Sequence, residues 1–205
     1  MKLVLVRHGV SEQNIGDIVS GGNSNPKLTA KGIENIKKIS QHIDEDKVDI
    51  VYSSPLTRAY ETAHLLVPHK SIQVDDRLKE MNFGDWEGEH ANELRKDYPD
   101  AFDFMGMFNN NYAKYAKNSE TYDDITRRAR EFLKELKQIG SHKTILVVCH
   151  GVTIRGILSA IFGLNTSNFT NVANVGFNEI IFDEDNNWTP RLMSFNNTVP
   201  VMIKK

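Results

Sequence analysis

Two short aliphatic runs in this chain end in the same way. Leu3-Val4-Leu5-Val6 stops at Arg7-His8-Gly9, and Thr144-Ile145-Leu146-Val147-Val148-Cys149 stops at His150-Gly151. Runs this short, apolar throughout and rich in β-branched residues, read as strands buried on both faces. Such strands belong to a parallel sheet covered by helices. The intervening sequence supplies those helices. Thr29 is placed as an N-cap, with Ile33, Ile36, Ile39 and Ile43 following at helical spacing. A further strand, Asp49 to Tyr52, meets Ser53-Ser54-Pro55, with Pro55 suited to the first turn of a helix whose inner face is Ala59, Ala63 and Leu66. The spacing also predicts a helix from about His90 to Tyr98. A stronger one carries Ile125, Ala129, Phe132, Leu133, Leu136 and Ile139 on one face and stops at Gly140. Ile154, Ile157, Leu158 and Ile161 continue the second His-Gly pair as a helix. Two late strands, about 175–182 and 191–195, are joined by the turn-forming stretch Asp183 to Asn187. The expected fold is therefore an α/β three-layer sandwich with a mainly parallel sheet and one antiparallel edge strand. It fits a single domain, 1–205, with a less regular stretch at about 82–118.

The carboxyl ends of parallel strands line the ligand crevice of an open α/β sheet. His8 and His150 both sit there, each followed by a glycine that lets a ligand approach the backbone. The strand ending at Ser53 delivers Arg58 to the start of the next helix, where unpaired N–H groups favour an anion. Two arginines, two histidines and backbone donors thus converge, a set suited to a phosphoryl group. Arginine forks match its oxygens, and a neutral imidazole attacks phosphorus. Cys149 beside His150 is not a nucleophile–base pair, because adjacent strand residues point to opposite faces; it is expected to pack in the core. His42, His64, His69, His90 and His142 have no matched partner spacing, and Pro68 spoils a two-ligand helical face for His64 and His69, so no metal site is expected.

The balance of 25 Lys+Arg against 27 Asp+Glu gives a net charge of −2, which offers no basic surface for nucleic acid. No apolar stretch approaches the roughly 18–20 residues that span a bilayer, and the start of the chain lacks a secretory leader. With one cysteine, the expectation is a reduced, cytoplasmic protein with a small-molecule partner and no membrane association; its oligomeric state is left open.

These residues resemble the histidine phosphatase superfamily, which includes the cofactor-dependent phosphoglycerate mutases, over nearly the whole chain. Arg7-His8-Gly9 with Ser11, Glu12 and Asn14 is similar to the signature around its phosphorylated histidine. Leu28-Thr29 with Gly32 resembles the opening of its first helix, although Asn25 stands where an Asp is common and Lys27 where a Pro is often seen. Ser53 to Ala59, followed by Thr62-Ala63, resembles the segment of its second phosphate-binding arginine. Leu78-Lys79-Glu80 with Phe83 to Gly88 resembles its proton-donor segment, and Val148-Cys149-His150-Gly151 with Arg155 its second-histidine motif. Asn118-Ser119-Glu120-Thr121 replaces a Gly-Glu-Ser-like stretch of the family.

The resemblance implies a phosphoglycerate mutase-like fold and no metal or other cofactor. It implies that His8 accepts the phosphoryl group, that Arg7, Arg58, His150 and the Gly151 N–H hold its oxygens, and that Glu80 protonates the departing oxygen. Asn14 and Gly21 to Asn23 are assigned to the pocket mouth, and Arg155 to orienting the site. The stretch after Glu80, Met81 to Gly88, resembles the phosphatase version rather than the Tyr-Gly-type continuation of the mutases, and the chain is comparatively short. The expectation is a phosphatase for a small phosphorylated metabolite. A mutase, which would need 2,3-bisphosphoglycerate, and a non-catalytic phosphate-binding module are the alternatives. The insertion at about 82–118 is expected to cover the substrate, and its Phe102, Phe104, Met105, Met107, Phe108, Tyr112 and Tyr115 either form an apolar lid or pack the insertion down.

Overall fold

The structure, a computed structural model, describes residues 1–139 and 141–205. Its strands are β1 (Lys2–Arg7), β2 (Ile50–Ser53), β3 (Ile72–Val74), β4 (Thr144–Cys149), β5 (Phe177–Asp183) and β6 (Thr189–Asn197), and they form one sheet in the order β3-β2-β4-β1-β5-β6. The α-helices are α1 (Glu12–Ile15), α2 (Ala30–Ser40), α3 (Thr57–Leu66), α4 (Ala91–Asp97), α5 (Tyr122–Ile139) and α6 (Gly151–Phe162). β3, β2, β4 and β1 are parallel. The antiparallel pairing is confined to one side, as a hairpin: β5 runs against β1 and β6 against β5. The strand that opposes the rest is thus β5, one place in from the edge.

The period of two along the central strands splits the core into two layers. Leu3, Leu5, Ile145, Val147 and Cys149 pack with Ala129, Phe132 and Leu136 of α5 and Ile154, Ile157 and Leu158 of α6. Val4, Val6, Leu146 and Val148 face the other way, onto Ile36 of α2 and Ala59, Ala63 and Leu66 of α3. Each fully buried aliphatic side chain of this kind contributes roughly 1.5–3 kcal/mol. α5 and α6 approach so closely that a Cβ on Gly156 would lie 2.2 Å from Ile125 Cγ2. A larger residue there would force the helices apart.

Thr29 caps α2 as expected, its hydroxyl accepting from the Gly32 N–H at 2.9 Å. Other local expectations shift. Pro55 stands ahead of the α3 N-cap, Leu56, rather than in the first turn. Ile43 is buried but lies beyond the end of α2, bridged to Lys204. Ile139, in the last turn of α5, is 46% exposed, and the stop assigned to Gly140 lies outside the described residues. The insertion builds its own apolar cluster around Phe83, Trp86, Tyr112 and Tyr122, with Phe102 and Phe108 packed against it. Phe104 and Met105 instead face outward from its tip. Among the described residues no helix is long and apolar enough to cross a membrane.

Candidate active site

β1 and β4 pair in a register that sets Arg7 opposite Cys149. The next residue on each strand therefore emerges at the same level, and the rings of His8 and His150 lie 5.1 Å apart between centroids. Pairing of Ser53 with Val148 brings the end of β2 alongside. That adds Ser54 and, in the first turn of α3, Arg58. His8, Arg58 and His150 are all buried.

The hydrogen bonds fix the state of His8. Its Nδ1 lies 2.7 Å from the Gly9 carbonyl, which only accepts, so the neutral ring carries its hydrogen on Nδ1. Nε2 is left with its lone pair, and Arg58 Nε donates to it at 3.3 Å. Burial, reinforced by the charges of Arg7 and Arg58, holds the His8 pKa well below the ordinary 6.5. The ring is a neutral nucleophile in form.

The groups around it are donors in search of an acceptor. His150 Nε2 lies 2.8 Å from Ser54 Oγ, and that hydroxyl also accepts from the Leu56 N–H. With the Ser54 hydrogen directed to Nε2, the neutral His150 carries its own hydrogen on Nδ1, which is buried without a partner. Burial and then the charge of Arg58 depress its pKa too. Arg7 Nη1 donates to the Val172 carbonyl at 2.5 Å, while its Nε is buried and unpaired. Gly151 stands beside that Nε, its would-be Cβ 3.6 Å away. Of the first-turn amides of α6, those of Val152 and Thr153 go to Glu80 and that of Ile154 to the His150 carbonyl; Gly151's is left over. Arg58 spends Nη1 and Nη2 on the carbonyls of Ser24 and Gly21. Burial lowers its pKa to about 10, so it stays charged at neutral pH.

Glu80 is held by the start of α6. Its Oε1 accepts from the amides of Met81 (2.9 Å) and Thr153 (3.1 Å), and its Oε2 from that of Val152 (3.2 Å). A carboxyl group at a helix N-terminus meets both the unpaired amides and the positive end of the dipole. Arg128 supports the same segment, donating to the Glu80 carbonyl at 3.2 Å. The loop 21–23 closes over it, and a Cβ on Gly22 would sit 2.7 Å from that carbonyl oxygen. Asn23 bonds across to Asn82 of the insertion. Asn14 is exposed, and its oxygen accepts from the N–H and hydroxyl of Ser11, leaving its NH2 for a ligand.

The structure thus brings Arg7, His8, Arg58, His150 and Gly151 together, with Asn14 beside the His8 strand end and Glu80 on the first turn of α6. Arg155 is not among them: it donates to the Thr166 carbonyl and lies over the Tyr122 ring. Cys149 packs in the core with α5 and α6, where burial pushes its thiol pKa up. Ser54, Thr153, Arg128 and Asn174 were not singled out from sequence. Ser54 had the strongest signal, as the residue following a strand beside the β4 histidine. Among the described residues no group of three or more His, Cys, Asp or Glu side chains could hold a metal ion.

The two neutral histidines have a consequence for stability. An imidazole kept neutral in the fold takes up its proton only on unfolding, so below pH 6.5 the unfolded chain binds more protons and stability falls as pH falls. Each contributes up to about 1.4 kcal/mol per pH unit in that range. Urea unfolding between pH 7 and 5.5 is expected to show this slope, and His8→Asn or His150→Asn to flatten it. An unchanged slope in both variants would show that neither ring is held neutral.

The family model described as histidine phosphatase superfamily (branch 1) matches residues 3–198. Phosphoserine phosphatase 1 of Hydrogenobacter thermophilus is 31% identical over 172 residues, covering 82% of this chain and 80% of that protein. A 2,3-bisphosphoglycerate-dependent phosphoglycerate mutase of Bartonella tribocorum is 31% identical over 80% of this chain and 82% of its own. Among solved structures, a phosphoserine phosphatase mutant of Entamoeba histolytica in complex with phosphoserine superposes with a TM-score of 0.80 at 27% identity, over 96% of this chain and 97% of that one.

Proposed function

The chain belongs to the histidine phosphatase superfamily; we propose that it is a hydrolase of small phosphomonoesters that works through a phosphorylated His8. The observation that carries this reading is the pair of buried nitrogens without partners, Arg7 Nε and His150 Nδ1, beside His8 Nε2, whose lone pair meets only the 3.3 Å bond from Arg58 Nε. Buried donors left unpaired are costly. A phosphoryl group satisfies them together, with the Gly151 N–H as a third donor.

In the first step His8 Nε2 forms a bond to phosphorus as the bond to the ester oxygen breaks. Arg7, Arg58 and His150 hold the equatorial oxygens, and the donors of Arg7 and His150 are already in place before charge builds on them. Arg58 turns its Nε from the imidazole to the phosphoryl oxygens. Glu80 gives its proton to the departing oxygen. Its Oε2, which accepts a single amide, has a lone pair free to carry that proton. In the second step Glu80 takes a proton from water, the water oxygen bonds to phosphorus, and the bond to Nε2 breaks to release inorganic phosphate. No step draws on a metal. The segment 82–118 covers the substrate side, and the Asn23–Asn82 contact supports this, since it joins the insertion to the loop that holds Arg58.

The test separates hydrolase from mutase. With 3-phosphoglycerate and 2,3-bisphosphoglycerate supplied in the presence of EDTA, free phosphate is expected to appear faster than 2-phosphoglycerate. Interconversion much faster than phosphate release would make it a mutase, and activity restored only by a divalent ion would overturn the metal-free chemistry. Screening small phosphorylated metabolites, phosphoserine among them, then ranks the substrates.

A further inference from the structure

The segment 171–176 straps the end of β1 from above. Val172 accepts from Arg7 Nη1, and the Val175 N–H donates to the Arg7 carbonyl at 3.0 Å. Val175 does so with φ of 56°, a left-handed conformation that a β-branched residue rarely adopts. The preceding residue, Asn174, reaches the nucleophile. Its Nδ2 donates to the His8 carbonyl at 2.9 Å and to the Gly9 carbonyl at 3.2 Å, and lies 3.3 Å from Asn14 Oδ1.

The Gly9 carbonyl is also the acceptor of the His8 Nδ1–H. Building on the role given to His8 above, we propose that Asn174 is a positioning residue that sets the tautomer of the nucleophile. It anchors the Gly9 carbonyl against the imidazole, so the ring hydrogen stays on Nδ1 and the lone pair stays on Nε2. An imidazole is generally aimed by the hydrogen bond on its other nitrogen. Here that bond is to the backbone carbonyl of a glycine whose N–H is held by Thr62 Oγ1 at 3.0 Å, and Asn174 holds the carbonyl side. Without it the Gly9 peptide turns, the Nδ1–H loses its acceptor, and the tautomer with hydrogen on Nε2, which cannot attack, becomes populated.

The test is long-range 1H–15N NMR of the histidine rings together with steady-state kinetics, on the parent, Asn174→Ala and Asn174→Asp. Asp keeps the shape but presents oxygen to two carbonyls. In the parent, His8 is expected with hydrogen on Nδ1 alone. Both variants are expected to show a mixture of tautomers, with kcat lower by about 10–100-fold and KM changed less than about threefold, because the arginines remain. The melting temperature is expected to fall by no more than about 2–4 °C. His8 holding the parent tautomer in both variants, or kcat within about twofold of the parent, would overturn the proposal. A fall in kcat that merely tracks the folded fraction would overturn it too. His8→Ala measured alongside keeps the two readings apart: turnover surviving in that variant removes His8 as nucleophile, whereas the NMR result judges Asn174 either way.

Discussion

Replacing His8 with alanine is expected to lower turnover by about 10,000-fold or more, the scale of losing a covalent nucleophile. No neighbour takes over the task. His150 has its Nε2 engaged by Ser54, and Cys149 is buried in the core on the face of α5 and α6. Folding is kept, since the imidazole gives up only the bonds to Gly9 and Arg58. Removing a neutral ring that sits beside two arginines also removes part of the loss of stability at acid pH. Steady-state hydrolysis of p-nitrophenyl phosphate measures the effect, and trapping of radiolabelled phosphoenzyme after an acid-free quench supplies an independent check. More than about a tenth of the parent rate remaining would exclude His8 from this role.

Glu80→Gln is the second large effect, and it depends on the leaving group. Alkyl phosphates, whose alkoxide needs a proton to depart, are expected to lose about 100- to 10,000-fold in kcat. p-Nitrophenyl phosphate, whose phenolate leaves unaided, loses far less from the first step. The substitution also places an NH2 among the amides of Met81, Val152 and Thr153, all of them donors. A clash of donors at that helix end costs about 1–3 kcal/mol of stability. The ratio of kcat for the two esters, measured on folded protein, isolates the chemical part. Equal losses for both would show that Glu80 holds the helix and does not move the proton.

Much of this site was legible because the sequence marks strand ends clearly. An aliphatic run that halts at His-Gly announces both where a strand stops and what it carries there, so His8 and His150 were found without knowing which strands are neighbours. Arg58 followed from Pro55 and the helix after it, even though Pro55 turned out to lie before the cap. The supporting residues were harder because nothing local distinguishes them. Asn174 is one of many asparagines, and its partners at positions 8 and 9 are backbone carbonyls that any residue type would offer. Thr153 and Arg128 acquire meaning only once α6 and α5 are packed beside Glu80. In the fold, β3 was missed because three residues at a sheet edge show no period, and α1 because its Ser11 and Asn14 cap sits in a stretch that otherwise reads as loop.

The place of β1 in the sheet has a consequence for how the protein is made. It lies between β4 and β5, both of which are synthesised long after it, β4 ending only at Cys149. At about 5–20 residues per second, a ribosome needs roughly 7–28 s to travel from the end of β1 to the end of β4. For that interval the nascent chain presents Leu3 to Val6, its central strand, with neither neighbour to pair with. Such a segment is a natural client for a chaperone at the exit tunnel. The two histidines meet only when β4 closes onto β1, and β5 and β6 join later still, so phosphatase activity cannot appear during translation before the β1–β4 pairing has formed.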